Sequence, residues 1–295
     1  MEPLFDERPV AARGYTSPAF MNEKAEQKST LQLTNEYKVD REMTIREHFI
    51  EVPLDLQSTN TLKLFVRTAH TGTYENSILY LQGGPGMSCP LPSYSGMTKE
   101  LVSRGYRVVF IDQRGTGFSS VVVSATLEKK SHNPKELCDY LTNFRADSIV
   151  RDCELVRQAL NLDKWSIIGQ SFGGFCALTY LSVAQSSLTE VFITGGLAPI
   201  LRKDPDKIYT RLFRRAIARN DAYYEKYPGD VNVVKRLCLW LLLQDNGYVA
   251  LPSGGRLTPN RVQELGICLG GHGGVDKLHR KYYALGVNSR NYDGV

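Results

Sequence analysis

Ser171 stands in the run Ile167-Ile168-Gly169-Gln170-Ser171-Phe172-Gly173-Gly174, between an apolar stretch and a string of small residues. That order predicts a strand turning sharply into a helix. The serine sits at the turn, its hydroxyl clear of the backbone above the end of a sheet. The chemistry this serves is nucleophilic acyl transfer, in which the hydroxyl attacks a carbonyl carbon. The attack creates an oxyanion that backbone N–H groups must hold. The amide of Phe172, directly after the nucleophile, is one expected donor; the other has to come from a loop after an earlier strand. Gln82-Gly83-Gly84-Pro85-Gly86 is such a loop. Its glycines let the backbone approach a substrate, and its proline stiffens it. A third stretch, Asp112-Gln113-Arg114-Gly115-Thr116-Gly117-Phe118-Ser119, also follows an apolar run. There Asp112 and Arg114 are expected to brace the neighbouring loops through an ion pair. Taken singly, each stretch is also readable as a plain glycine-rich or charged turn. A bare G-x-S-x-G is weak, and its context between strand and helix gives it weight.

The elements that must position these residues follow from periodicity. Residues 48–53 and 62–67 read as two strands of an antiparallel hairpin. Ser77-Ile78-Leu79-Tyr80-Leu81 and residues 106–111 read as short strands buried on both faces. A helix is expected near 97–103, and another over 147–161 from Ile149, Val150, Cys153, Val156 and Leu160. Residues 165–168 lead to the serine, 173–184 form the helix after it, and 188–194 form one more strand. Strands alternating with helices predict a mostly parallel sheet opened by antiparallel strands. From residue 200 the texture becomes helical, with no strand evident. Asp204-Pro205 and Thr258-Pro259 read as helix starts, and Gly266 as a helix end. The expected organisation is a polar extension over 1–42, lying on the surface or partly disordered, a core over 43–199, and a helical cap over 200–295.

The three glycine-rich stretches together resemble the prolyl aminopeptidases (proline iminopeptidases) of the α/β-hydrolase superfamily, in their longer form. That form pairs Q-G-G-P-G with D-Q-R-G-T-G and G-Q-S-[FY]-G-G-F, and all three stand here nearly unaltered. The resemblance covers roughly residues 45–295 and implies an α/β-hydrolase fold with a helical cap. It also implies release of an N-terminal proline from peptides. Ser171 would attack the prolyl carbonyl, the amides of Gly84 and Phe172 would form the oxyanion hole, and a prolyl-enzyme would form and be hydrolysed. In the family, cap carboxylates hold the substrate's charged imino group. Glu225, Asp230 and Glu264 are candidates, with an exposed helical position as the alternative for each. No cofactor and no metal is implied. The alternatives in function are an esterase acting on small acyl groups and a non-catalytic protein that keeps the fold.

Superfamily order places the acid and the histidine after the serine. Of the five histidines, His48, His70 and His132 precede Ser171, whereas His272 and His279 lie in a segment that reads as cap loop and helix. Asp276 and His279, three residues apart, are not expected to relay toward Ser171. The sequence is therefore read as stopping before both partners. On that reading the last strands of the core are missing and the chain as it stands is nearly inactive.

Composition sets outer bounds. The 295 residues are 42% hydrophobic and 23% charged, ordinary for a globular protein. A net charge of +5 is spread along the chain. The short basic run Arg211-Leu212-Phe213-Arg214-Arg215 is expected to be a wet helix face, so no nucleic-acid partner is expected. No stretch reaches the length of a membrane span. The amino terminus lacks the apolar core of a secretory signal. The six cysteines show no metal-like spacing and read as mostly buried, reduced thiols, which points to the cytoplasm.

Overall fold

A computed structural model describes residues 30–40, 42–56, 59–197, 206–252 and 254–289. Most of the polar extension and the Asp204-Pro205 helix start lie outside the described residues. The chain divides into two compact units, Met1–Pro199 and Ile200–Val295.

The first unit carries, in order, β1 (Gln32–Val39), β2 (Met43–Pro53), β3 (Thr61–His70), β4 (Asn76–Leu81), α1 (Gly96–Ser103), β5 (Tyr106–Asp112), α2 (Ser124–Lys130), α3 (Pro134–Leu141), α4 (Ala146–Ala159), β6 (Trp165–Gln170), α5 (Phe172–Val183) and β7 (Leu188–Thr194). The strands form one sheet in the order β1-β2-β3-β5-β4-β6-β7. Pairing is antiparallel from β1 through β5 and parallel among β5, β4, β6 and β7.

The two-residue side-chain period of a strand divides the sheet's residues between two cores. Leu79, Val109, Ile111 and Ile167 share a cluster with Ile149, Val150 and Cys153 of α4 and Cys176, Ala177 and Tyr180 of α5. The alternate residues Ile78, Val108 and Phe110 join Met43, Ile45, Ala69 and Val102 of α1. A buried polar chain locks the first core. Trp165, 1% exposed, donates from Nε1 to the Tyr180 hydroxyl at 3.1 Å. The Tyr180 hydroxyl donates in turn to Glu154, which also accepts from Ser187 Oγ at 2.9 Å and Arg157 Nη2 at 2.8 Å. Burial, then the Glu154 carboxylate, push the Tyr180 phenol far above its ordinary value, so it stays a donor.

Residues 32–39, within the extension expected to lie on the surface or be partly disordered, form a strand at the sheet's edge. They pair with β2 from Gln32↔Phe49 to Val39↔Met43. The strand is mostly exposed, which hides it from a search for buried periodicity. It is held by backbone pairing and by ion pairs such as Arg46 Nε to Glu36 Oε2 at 2.6 Å.

The expected Asp112–Arg114 ion pair is corrected. Arg114 turns instead to Asp152 on α4, with Nε and Nη2 at 2.7 and 2.6 Å from the two carboxylate oxygens. Its remaining N–H groups reach the carbonyls of Leu54 at 2.7 Å, Asn143 at 2.8 Å and Pro53 at 3.1 Å. The five-donor fork of arginine is fully used. Both side chains are nearly inaccessible, at 1% and 3%. Asp112 needs no guanidinium, because its carboxylate accepts the amides of Cys89 at 2.8 Å and Phe118 at 2.9 Å.

The second unit holds α6 (Asp206–Lys226), α7 (Asp230–Leu242), β8 (Val249–Ala250), β9 (Arg256–Leu257), α8 (Pro259–Gln263) and α9 (Gly274–Ser289). It has its own core of Tyr223, Leu241, Val262, Leu269, Leu278 and Tyr282. Trp240 on α7 is 50% exposed. The small β8–β9 hairpin corrects the expectation of no strands after residue 200; two residues per strand are too few to show a period. Thr258 caps α8 as expected, accepting from the Arg261 amide at 3.2 Å. Gly266 does not end that helix, which continues as a 3₁₀ turn over Glu264–Gly270. No helix among the described residues is long and apolar enough to cross a membrane.

Two imidazoles, one buried (His70) and one half-buried (His48), give the first unit a pH dependence. His48 Nδ1 and His70 Nε2 lie buried with no hydrogen-bond partner among the described residues. Burial holds both below the ordinary histidine value; backbone hydrogen bonds with Val66 for His48 and Gly72 for His70 act the other way, and the positive charges of Arg46 and Arg107 add to the lowering. Each is thus neutral in the fold at a pH where the unfolded chain already takes a proton. Their contribution to stability is full above about pH 6.5 and is lost as pH falls below it. Urea midpoints measured from about pH 7.5 down to about pH 5.5 should decline, and His70→Gln should flatten the decline. A midpoint independent of pH over that range contradicts this account.

The Arg114–Asp152 pair makes a second prediction. Arg114→Ala leaves a buried carboxylate uncompensated and should cost about 3–5 kcal/mol of unfolding free energy. Arg114→Lys should recover little, since a point-charge ammonium cannot reproduce the planar fork. Denaturant titration measures both, and a loss near that of an exposed ion pair, about 0–1 kcal/mol, refutes the assignment.

Candidate active site

The parallel register decides where the site lies. Leu81 on β4 faces Gly169 on β6, and Gln170 faces Thr194 on β7. The carboxyl ends of these strands therefore align, and the loops that follow them emerge at one edge of the sheet, where open α/β sheets bind ligands. Ser171, Gln82-Gly83-Gly84-Pro85-Gly86 and the Asp112 stretch all leave from that edge.

Ser171 is the N-cap of α5, with φ 54° and ψ −116°. A non-glycine residue in the left-handed half of the map carries strain, which is retained where the surroundings over-determine it. Here they do. The Ser171 amide donates to the Thr194 carbonyl at 2.9 Å, and its carbonyl accepts the Gly174 amide at 2.9 Å. Two glycines allow the helix to dock backbone against backbone. A Cβ on Gly173 would lie 1.9 Å from the Leu81 carbonyl oxygen, and one on Gly174 would lie 2.4 Å from the Gly196 carbonyl oxygen. Ser171 itself is half-buried. Its hydroxyl has no hydrogen-bond partner among the described residues. Phe172 is the first residue of α5, so its N–H is one of those a helix leaves unsatisfied at its N-terminus.

The Gln82–Gly86 stretch lies against this elbow. A Cβ on Gly83 would sit 3.0 Å from Ser171 Cβ and 2.9 Å from the Gln170 carbonyl oxygen. The sequence reading named the loop but missed what fixes it. Gln113 Nε2 donates to the Gln82 carbonyl at 3.1 Å. The Gln82 side chain closes the loop on itself, donating to the Ser88 carbonyl at 2.9 Å. The Tyr80 hydroxyl lies 3.1 Å from Gln82 Oε1 and 3.4 Å from Gln170 Oε1. Asp112 holds the far end of the loop through Cys89 N, as described above. Gly117 is required for that arrangement, since a Cβ there would lie 2.1 Å from Asp112 Oδ2. The available signal was the two glutamines flanking glycine-rich loops; a lone glutamine reads as solvent-facing, and these bonds depend on tertiary contact.

The acids named in the second unit have different fates. Asp230 is 5% exposed, accepting from the Tyr223 hydroxyl and lying 2.9 Å from His279 Nδ1. Its carboxylate is committed within the unit, which argues against the substrate contact expected of it. Burial, then Asp230, push the Tyr223 phenol far above its ordinary value. Glu225 and Glu264 are exposed. Asp276 binds Lys226 Nζ at 2.8 Å and the Tyr227 hydroxyl at 2.7 Å rather than His279. The Lys226 ammonium holds the Asp276 carboxyl below its ordinary value. The His279 ring stacks flat on Tyr227, with centroids 3.8 Å apart.

All six cysteines are free, but only Cys89, Cys153 and Cys176 are buried; Cys138 is exposed, and Cys238 and Cys268 are half-buried. Burial pushes the Cys89 and Cys176 thiols up to about 12, so neither competes with Ser171 as a nucleophile. No cluster of metal-binding side chains is present among the described residues.

Comparison with known proteins agrees with this geometry. The family model for the alpha/beta hydrolase fold matches residues 76–240, more than half the chain. A proline iminopeptidase of Aspergillus aculeatus is 45% identical over 242 residues, covering 78% of this chain and 53% of that protein. A proline iminopeptidase of Aeromonas sobria is 43% identical over 246 residues, covering 81% and 56%. The chain thus spans about half the length of these curated relatives. A strand–serine–helix elbow, a glycine loop set against it and the family match converge: this chain belongs to the α/β-hydrolase family.

Proposed function

We propose that this chain carries the nucleophile and oxyanion-binding part of a serine exopeptidase that releases N-terminal proline from peptides. The observation that supports it best is the meeting of the Gly83 backbone with Ser171 at the carboxyl edge of the sheet. The substrate class rests on the relatives named proline iminopeptidase, at 43% and 45% identity.

In this reading Ser171 Oγ attacks the carbonyl carbon of the terminal prolyl residue. The carbonyl oxygen gains the negative charge, and the amides of Phe172 and Gly84 donate to it. Collapse expels the amine of the shortened peptide and leaves a prolyl ester on Ser171, which water then cleaves. Each oxyanion donor of this kind is worth about a hundredfold to a thousandfold in turnover. A base must take the serine proton, and His279, engaged by Asp230 and stacked on Tyr227, is not assigned to it. By the resemblance to the prolyl aminopeptidases, selection of the substrate's end is assigned to acids of the helical second unit. Glu225 and Glu264 are the exposed acids available to the charged imino group, in preference to Asp230.

The test uses the natural polypeptide with proline p-nitroanilide and p-nitrophenyl acetate. Turnover of the anilide should exceed that of the ester, and Ser171→Ala should lower kcat by up to about a millionfold, by analogy with a serine protease. Ester turnover without anilide turnover would replace the peptidase with an esterase. A fluorophosphonate probe that fails to label Ser171 would favour a non-catalytic protein.

A further inference from the structure

We propose that Gln113 is a positioning residue whose side-chain amide fixes the loop presenting the Gly84 N–H beside Ser171. The inference rests on the oxyanion role given to Gly84 above and extends it to a residue that touches no substrate.

Gln113 is 4% exposed, so its side chain is held inside the protein. Its backbone carbonyl is fixed by the Thr116 amide at 3.0 Å and the Thr116 hydroxyl at 2.8 Å. From that anchored position Nε2 reaches the Gln82 carbonyl at 3.1 Å. In a trans peptide the C=O and the following N–H point in opposite directions. Fixing the Gln82 carbonyl therefore fixes the Gly83 N–H and the direction in which the chain enters Gly84. This matters because two of the loop's residues are glycines in the left-handed half of the map. Gly84 at φ +123° and Gly86 at φ +90° occupy conformations open to glycine, and glycine has the widest backbone freedom. The other ties among the described residues run through the Gln82 side chain, from Nε2 to the Ser88 carbonyl and from the Tyr80 hydroxyl to Oε1, and through Cys89 N to Asp112. Gln113 is the one among them that grips the loop's backbone at Gln82. An oxyanion donor acts only if it is oriented before the charge develops.

Gln113→Glu keeps the shape and replaces the donating nitrogen with an oxygen that faces the Gln82 carbonyl. Gln113→Ala removes the reach altogether. Three measurements separate the possibilities. Backbone N–H order parameters at Gly83, Gly84, Gly86 and Met87 should fall in both variants toward about 0.6, while those of β4 and β6 stay near about 0.85. The rate at which a fluorophosphonate labels Ser171 should fall about tenfold to a hundredfold, less than removal of an oxyanion donor outright. With proline p-nitroanilide the loss should fall on kcat, with KM changed less than about twofold, because the interaction strengthens only in the transition state.

Unchanged order parameters in the loop overturn the proposal. So do lowered order parameters with unchanged labelling, which would make Gln113 a purely structural residue. If the wild type is labelled but leaves the anilide intact, the peptidase reading fails, and the labelling rates of the variants still decide the role of Gln113. A wild type that is neither labelled nor active overturns both.

Discussion

The first turn of a helix set against strand-end backbone with no side chain between them, at Gly173 and Gly174, is the constraint on which the site depends. The Leu81 and Gly196 carbonyl oxygens occupy the space that side chains at residues 173 and 174 would need. That closeness brings the first turn of α5 down onto the strand ends and forces the chain through the left-handed conformation of Ser171. The buried Trp165–Tyr180–Glu154 chain and the apolar packing of α5 on β6 over-determine the arrangement. They stabilise a local geometry that the backbone alone would avoid.

A second layer of order comes from buried polar groups placed one shell behind the loops. Arg114, Asp112 and Gln113 are near neighbours in sequence but serve three separate tasks. Arg114 gathers the end of β2, the turn before α4 and α4 itself. Asp112 ties the Cys89 amide to the Phe118 amide. Gln113 grips the Gln82 carbonyl. Because the interior is of low polarity, each group is costly to leave unpaired. The motif is therefore restricted at every position by a different partner, and this gives a physical account of its composition.

Much of this was legible in the sequence. The strand before Ser171, the small residues after it and the glycine loop after β4 are local signals, and the structure places them together as their order implied. The parallel core was readable because its strands are short, apolar and separated by helical periods. What could not be read was whatever depended on tertiary partners. Nothing in the order of residues 112–114 says that Arg114 turns to Asp152, thirty-eight positions later, rather than to Asp112. Strand β1 escaped because it is polar and held by pairing with β2. Asp230 reads in the sequence as a substrate-binding acid or an exposed one on a helix; its burial against Tyr223 and His279 depends on α9, far from it in sequence.

The chain contains two tryptophans, and they fall one to each unit. Trp165 is sealed in the apolar layer beneath the elbow, while Trp240 lies half open to solvent on α7. An indole shielded from water emits at shorter wavelength than a wetted one. The molecule thus contains a pair of intrinsic fluorophores of different colour, and the blue component reports specifically on the packing that supports the nucleophile.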